Sequence, residues 1–178
     1  MTTAGVRDLV ISPMSAEDIG CVHAIETASF TVPWSEALFL AELGNTLSRP
    51  MVARCAGAIV GYLCASLVID EGHILDLAVH PSYRGQGIAR SLMAETLEHM
   101  KLQGCSSVFL EVRASHAAVI RFYEQCGFAV TQTRICYYVS PIDDAAIMVR
   151  SFEPQETPRP AATENDKPLK ERDRGGDQ

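Results

Sequence analysis

Two glycines, Gly85 and Gly87, sit between an apolar run, Ile74-Leu75-Asp76-Leu77-Ala78-Val79, and an amphipathic stretch that opens at Ile88. Glycine lets a backbone approach a ligand closely, and free N–H groups at a helix start attract phosphate oxygens. The same residues also serve a tight strand-to-helix turn that binds nothing, and on the glycines alone both readings stand. Other phosphate motifs are absent: there is no Gly-Lys-Ser/Thr, and no GxGxxG spacing after a first strand. A second candidate is Glu111, alone among the apolar residues of Val108-Phe109-Leu110-Glu111-Val112. A carboxylate there needs a partner, either Arg113 two residues along the same face or chemistry at a cleft. The third is Tyr123, beside Phe122 on a short helix. It serves either as a packed ring with a hydrogen-bonded hydroxyl or as a proton-donating phenol.

These three sites need a scaffold. Leu9-Val10-Ile11 reads as an opening strand, and Ser15 caps a helix running to Phe30 with Ile19, Val22 and Ile25 on one face. Pro33-Trp34-Ser35 breaks the chain, and Ser35 caps a second helix carrying Leu38, Phe39 and Leu43. Strands over 51–55 and 59–69 join at Ala56-Gly57, and a further strand covers 74–79. A helix over about 87–103 follows, then a strand over 108–112 apolar enough to be buried inside a sheet, then a helix over 115–125. Two final strands span 129–139 and 146–152. The order β-α-α-β-β-β-α-β-α-β-β predicts one α/β domain with a mixed sheet and about four helices. Hairpins in it are antiparallel, and strand–helix–strand units give parallel neighbours.

Composition limits the function classes. The chain has 178 residues, 47% of them hydrophobic, enough for one domain with its own core. The net charge of −7 is the wrong sign for a nucleic-acid binder and suits a basic peptide or protein acceptor. No apolar run reaches the ~18 residues of a membrane span, and residues 1–8 lack a secretory pattern, so no membrane is implied and the cytoplasm is the expected location. The six cysteines form no CxxC pair and read as small buried hydrophobes, with Cys126 the one candidate nucleophile. His23, His73, His80 and His99 have no ligand spacing, so no metal is expected. From residue 153 to 178 the chain is rich in Pro and charge and has no aromatic residue. The folded domain is therefore expected over 1–152, followed by a disordered tail.

Arg84-x-x-Gly87-x-Ala89 resembles the pyrophosphate loop of the GNAT N-acetyltransferase superfamily, and the similarity extends from Val10 to Val149. Val32-Pro33-Trp34-Ser35-Glu36, Leu110-Glu111-Val112-Arg113-Ala114-Ser115 and Cys136-Tyr137-Tyr138 with Ala146-Ile147-Met148 resemble the bacterial ribosomal-protein-alanine acetyltransferases. That resemblance implies acetyl-CoA as co-substrate, with Leu77, Ala78 and Val79 along the pantetheine and acetyl carbonyl. It implies that Arg84, Gly85, Gln86, Gly87, Ile88, Ala89 and Arg90 hold the pyrophosphate through main-chain N–H groups. At 116 the family usually has an asparagine that bonds the cofactor; this chain has His116, which donates with a different shape and charge.

The implied reaction, transfer to a protein N-terminal amine, sets chemical demands. A terminal amine has a pKa of ~8, so a base must remove a proton; an oxyanion needs donors, and the leaving thiolate benefits from an acid. By the resemblance Glu111 is the proton acceptor and Tyr123 the general acid, while Trp34, Tyr137 and Tyr138 line the acceptor site. The resemblance further implies direct transfer in a ternary complex, with the N-terminal alanine of small-subunit ribosomal protein eighteen as the expected acceptor. A broader protein or small-amine acetyltransferase, a non-catalytic acetyl-CoA-binding domain and a ping-pong enzyme using Cys126 are the rivals. Oligomeric state is not legible.

Overall fold

The computed structural model describes residues 8–152, so the expected tail over 153–178 lies outside the described residues. Seven strands form one sheet in the order β1-β2-β3-β4-β5-β7-β6. They are β1 (Leu9–Pro13), β2 (Met51–Cys55), β3 (Ala58–Val68), β4 (Glu71–Val79), β5 (Ser107–Arg113), β6 (Ala129–Val139) and β7 (Ile142–Ser151). Four α-helices flank it: α1 (Ile19–Thr27), α2 (Glu36–Gly44), α3 (Ile88–Leu102) and α4 (Ala117–Gln125). The expected element order is the observed one.

Local chemistry explains most boundaries. Ser15 and Asp18 form a capping box ahead of a short 3-10 turn that leads into α1, and Ser35 Oγ accepts from the Leu38 N–H at 3.3 Å at the start of α2. Ala56 and Gly57, at φ 48° and 86°, make the tight turn joining β2 to β3. Helix α1 stops at Thr27 rather than Phe30, because the Ser29 amide turns to the Glu26 carbonyl three residues back instead of continuing the four-residue ladder to Ile25. Strand β4 begins three residues earlier than expected. Its start is ruled by pairing with β3 (Val68↔Glu71), a non-local contact that apolar patterning does not show.

Two cores lie on opposite sides of the sheet. Ile88, Leu92, Leu97 and Met100 of α3 pack on Val60, Leu63, Ile74, Val108, Leu110 and Met148. On the other side Ile19, Val22, Ile25 and Phe39 cover Val52, Tyr62, Cys64 and Ala78. Strand β5 departs from the fully buried expectation: Val108, Leu110 and Val112 face the α3 core, whereas Phe109, Glu111 and Arg113 are half-buried on the other face. The cysteines depart too, since Cys64 and Cys105 are buried but Cys21 and Cys136 are exposed.

The sheet has one parallel pair, β4 with β5. Strand β7 inserts antiparallel between β5 and β6, so the β5-α4-β6 unit does not give the parallel neighbours expected of it. Pairing of β4 with β5 covers only Glu71↔Ser107, Gly72↔Val108 and His73↔Phe109. Beyond His73 and Phe109 the two strands part. Their carboxyl ends open a wedge, with the start of α3 on one lip and the start of α4 on the other.

Candidate active site

A wedge at the carboxyl ends of parallel strands is where α/β sheets place ligands. On the β4 lip the His80 N–H bonds the Val60 carbonyl at 2.9 Å, so His80 faces β3. Alternation then turns the Val79 amide away from β3 and into the wedge. The Arg84 side chain follows the same geometry, its Nε donating to the Val79 carbonyl at 3.0 Å. Its Nη2 also donates to Ser29 Oγ at 2.9 Å, which ties the β4 lip to the end of α1. The Arg84 guanidinium is therefore engaged with protein, which leaves the backbone of this loop for a ligand.

Gly85 and Gly87 take φ of 75° and 85°, a region costly for other residues, and a Cβ at either would meet nothing within 4 Å. Open space, not crowding, surrounds this loop. Gly87 is the N-cap of α3 and Ile88, Ala89 and Arg90 form its first turn, so their N–H groups have no carbonyl one turn back. The Ile88 side chain is in the core at 1% exposure, leaving only its main chain available. Gln86 Nε2 reaches the Ser82 carbonyl at 3.4 Å, and Arg90 Nη2 donates to Gln125 Oε1 at 2.6 Å, joining α3 to α4. On the α4 lip His116 is the N-cap, but its imidazole makes no capping bond and is exposed.

Glu111 projects from β5 and accepts from Arg134 Nη1 of β6 at 2.5 Å. Of the two readings of Glu111, the Arg113 pairing is not the one observed. Arg113 donates to the Ser140 and Pro141 carbonyls and lies 4.2 Å over the Tyr138 ring, so it is turned toward the β6–β7 hairpin. Tyr137 joins Glu111 and Arg134: the carboxylate holds its phenol, raising its pKa, and Arg134 stands 5.6 Å from its ring. Glu111, Tyr137 and Tyr138 thus converge with Arg113 and Arg134 on one side of the wedge. Trp34 lies in the α1–α2 loop on the α1/α2 side, its ring 5.4 Å from Phe39.

Tyr123 of α4 is buried between Phe122 and Phe128, with centroids at 5.1 and 5.9 Å. Burial, followed by the charge of Asp76, pushes its phenol well above the usual tyrosine range. Cys126 caps α4 at its carboxyl end, and burial pushes its thiol up, away from the thiolate a nucleophile needs. Among the described residues no His/Cys/Asp/Glu group could hold a metal, and no helix is long and apolar enough to cross a membrane.

Sequence reasoning missed a buried trio, Glu26, Tyr62 and Asp76, drawn from α1, β3 and β4. The available signal was the one used for Glu111: Asp76 is the lone acid in the apolar run 74–79, and Glu26 directly follows Ile25 on the buried side of α1.

Comparisons with known proteins agree with this architecture. Residues 21–128 match the Acetyltransferase (GNAT) family. The [Ribosomal protein bS18]-alanine N-acetyltransferase of Escherichia coli is 31% identical over 140 residues, covering 78% of this chain and 94% of that protein. The crystal structure of that Escherichia coli enzyme superposes with a TM-score of 0.77 at 29% identity, covering 84% of this chain and 98% of that one. A putative relative of the same name from Bacillus subtilis is 34% identical over 148 residues, covering 83% and 95%. The Arabidopsis thaliana NAA60 structure in complex with acetyl-CoA, with a TM-score of 0.73 over 81% of this chain and 98% of that one, is 20% identical and shows the fold alone. The chain belongs to the GNAT acetyltransferase family and resembles its ribosomal-protein-alanine N-acetyltransferases.

Proposed function

We propose that the chain transfers an acetyl group from acetyl-CoA to the N-terminal α-amine of a protein, with the N-terminal alanine of small-subunit ribosomal protein eighteen as acceptor. One observation carries this reading: β4 and β5 part beyond His73 and Phe109, and the opening is lined by unbonded amides on one lip and by Glu111 on the other side. The named activity of the Escherichia coli and Bacillus subtilis relatives supports the acceptor. The net charge of −7 favours a basic protein partner.

Acetyl-CoA supplies an acyl group activated as a thioester. The N–H groups of Gly85, Gln86, Gly87, Ile88, Ala89 and Arg90 hold its pyrophosphate, as helix starts hold anions. Leu77 and Ala78 lie along the pantetheine, and the Val79 N–H donates to the acetyl carbonyl oxygen. His116 stands at the α4 lip in the place of the family's asparagine. Glu111 takes a proton from the α-ammonium through water, leaving a neutral nucleophile for direct transfer in a ternary complex. Tyr123 gives its phenolic proton to the departing sulfur as the carbon–sulfur bond breaks, and the phenol is restored by the second proton that the attacking nitrogen sheds in becoming the amide. Trp34 lines one wall of the acceptor site, and Tyr137 and Tyr138 the opposite one.

The test is release of free CoA thiol with a panel of acceptors: peptides starting with Ala, Ser, Met or Glu, and small amines. Release with the Ala-start peptide well above the others is expected. Equal release across the panel would replace the alanine reading with a broad acetyltransferase, and no release with any acceptor would reduce the chain to a cofactor-binding domain.

A further inference from the structure

Three side chains from three elements meet in the core beneath the acceptor loop. The Tyr62 hydroxyl lies within bonding distance of Glu26 and of Asp76 Oδ2, the latter at 2.9 Å. Glu26 is 1% and Tyr62 0% exposed. Glu26 also accepts, through Oε1, from the backbone N–H of Trp34 at 2.7 Å. Rings extend the same path: Trp34 packs on Phe39, and Phe39 meets Tyr62 edge-on with centroids 5.4 Å apart. At the far end the Leu77 amide bonds Asp76, so the trio ends at the first residue of the Leu77-Ala78-Val79 run.

Proton counting makes the arrangement informative. A phenol carries one proton and donates to one acceptor. Its second carboxyl contact is attractive only when that carboxyl is itself protonated and donates. Two ionised carboxylates around one hydroxyl would leave a buried charge without compensation. The trio therefore holds one proton beyond the phenol's own.

We propose that Glu26, Tyr62 and Asp76 form a proton-sharing bridge that locks the α1–α2 loop to the cofactor strand and so positions the acceptor amine. These are positioning residues; none touches the reacting atoms. The role in amine positioning rests on the transfer reaction proposed above, whereas the lock itself does not.

Physical context agrees. Burial, and then the charge of Glu26, pushes the Asp76 carboxyl up to about 7. The sign follows: a carboxyl whose folded pKa is raised contributes its stabilisation at low pH and loses it as pH rises through that value. The other groups facing the trio are Cys64 of β3, its thiol pushed up by burial and then by Asp76, Glu42 of α2, and Tyr123 of α4, which feels the Asp76 charge. On the solvent side of the loop, His23 pairs with Glu36 at 3.6 Å and Arg84 bonds Ser29.

Trp34 is the only tryptophan, so its fluorescence reports the loop without any acceptor. The full chain should show a fluorescence transition near neutral pH that disappears in Asp76→Asn and moves to higher pH in Tyr62→Phe, because the Tyr62 bond is one of the contacts that hold the Asp76 pKa down. With an accepted peptide, Tyr62→Phe should raise the peptide KM about tenfold, as for a lost buried hydrogen bond, with kcat and the acetyl-CoA KM within about twofold. Asp76→Asn, which keeps the shape, should retain a near wild-type peptide KM that no longer rises above neutral pH. A transition that persists in a folded Asp76→Asn protein belongs to another group and overturns the bridge. Equal losses of peptide and acetyl-CoA affinity in Tyr62→Phe would reduce the trio to core packing and also overturn it. If the wild type acetylates no peptide, the proposed function fails while the fluorescence titration still decides the lock.

Discussion

Arg134 of β6 holds the carboxylate of Glu111 of β5 at 2.5 Å, although the two strands are separated in the sheet by β7. The contact crosses β7 where β6 bulges between Arg134↔Ala145 and Tyr138↔Asp143, and where Cys136, at φ 52°, bonds Asp144 Oδ1. Arg134 is half-exposed, so the pair contributes at most about 1 kcal/mol to stability. Its consequence is chemical: any cationic α-ammonium that approaches Glu111 must compete with a resident guanidinium.

Arg134→Met should therefore leave the melting temperature nearly unchanged and lower the peptide KM by about two- to fivefold, as a competing charge worth up to ~1 kcal/mol is removed. Steady-state kinetics at low salt check this. The effect should shrink as salt rises.

Glu111→Gln keeps the shape and removes the proposed base. Turnover at neutral pH should fall by ~10²–10⁴ while acetyl-CoA affinity is retained, and part of the rate should return at high pH, where the amine loses its proton unaided. Calorimetric binding beside turnover separates these effects.

Tyr123→Phe keeps the ring packed against Phe122 and Phe128, so stability should change by no more than the ~1 kcal/mol of a lost buried bond. Turnover should fall by ~10²-fold with peptide binding preserved. The pH profile carries a second signature. Burial holds the phenol above the usual range, so it stays protonated. At saturating peptide the wild-type kcat should rise as the α-amine deprotonates at ~8 and show no decline up to pH ~10.

Gly87→Ala places a side chain at φ 85°, costing about 1–2 kcal/mol although a Cβ meets no atom there. The loop should relax by moving its amides, so the acetyl-CoA KM should rise more than the peptide KM. Titration with each substrate in turn measures the difference.

The legible parts of this chain were local. The caps Ser15 and Ser35, the Ala56-Gly57 turn and the Gly85/Gly87 loop each depend on a few neighbouring residues, and all lie where the sequence puts them. Glu111 was recognisable as an acid in an apolar strand, but its partner was not. Arg134 lies 23 positions away, beyond a helix, and reaches Glu111 only because β7 folds back between β5 and β6. The same limit hid the trio. Glu26 and Tyr62 are 36 positions apart, and neither position alone shows that α1 and β3 meet beneath the α1–α2 loop. Strand β5 was misjudged for a related reason: composition cannot distinguish a strand covered on both faces from one whose second face lines an opening.

The most direct measurement is the position of the acetyl group. A basic Ala-start peptide containing internal lysines, and the same peptide with its α-amine already blocked, are incubated with the full chain and acetyl-CoA and sequenced by tandem mass spectrometry. The account predicts one added acetyl group on the α-amine of the free peptide and none on the blocked one. Acetyl groups on the lysine side chains of both peptides would contradict it.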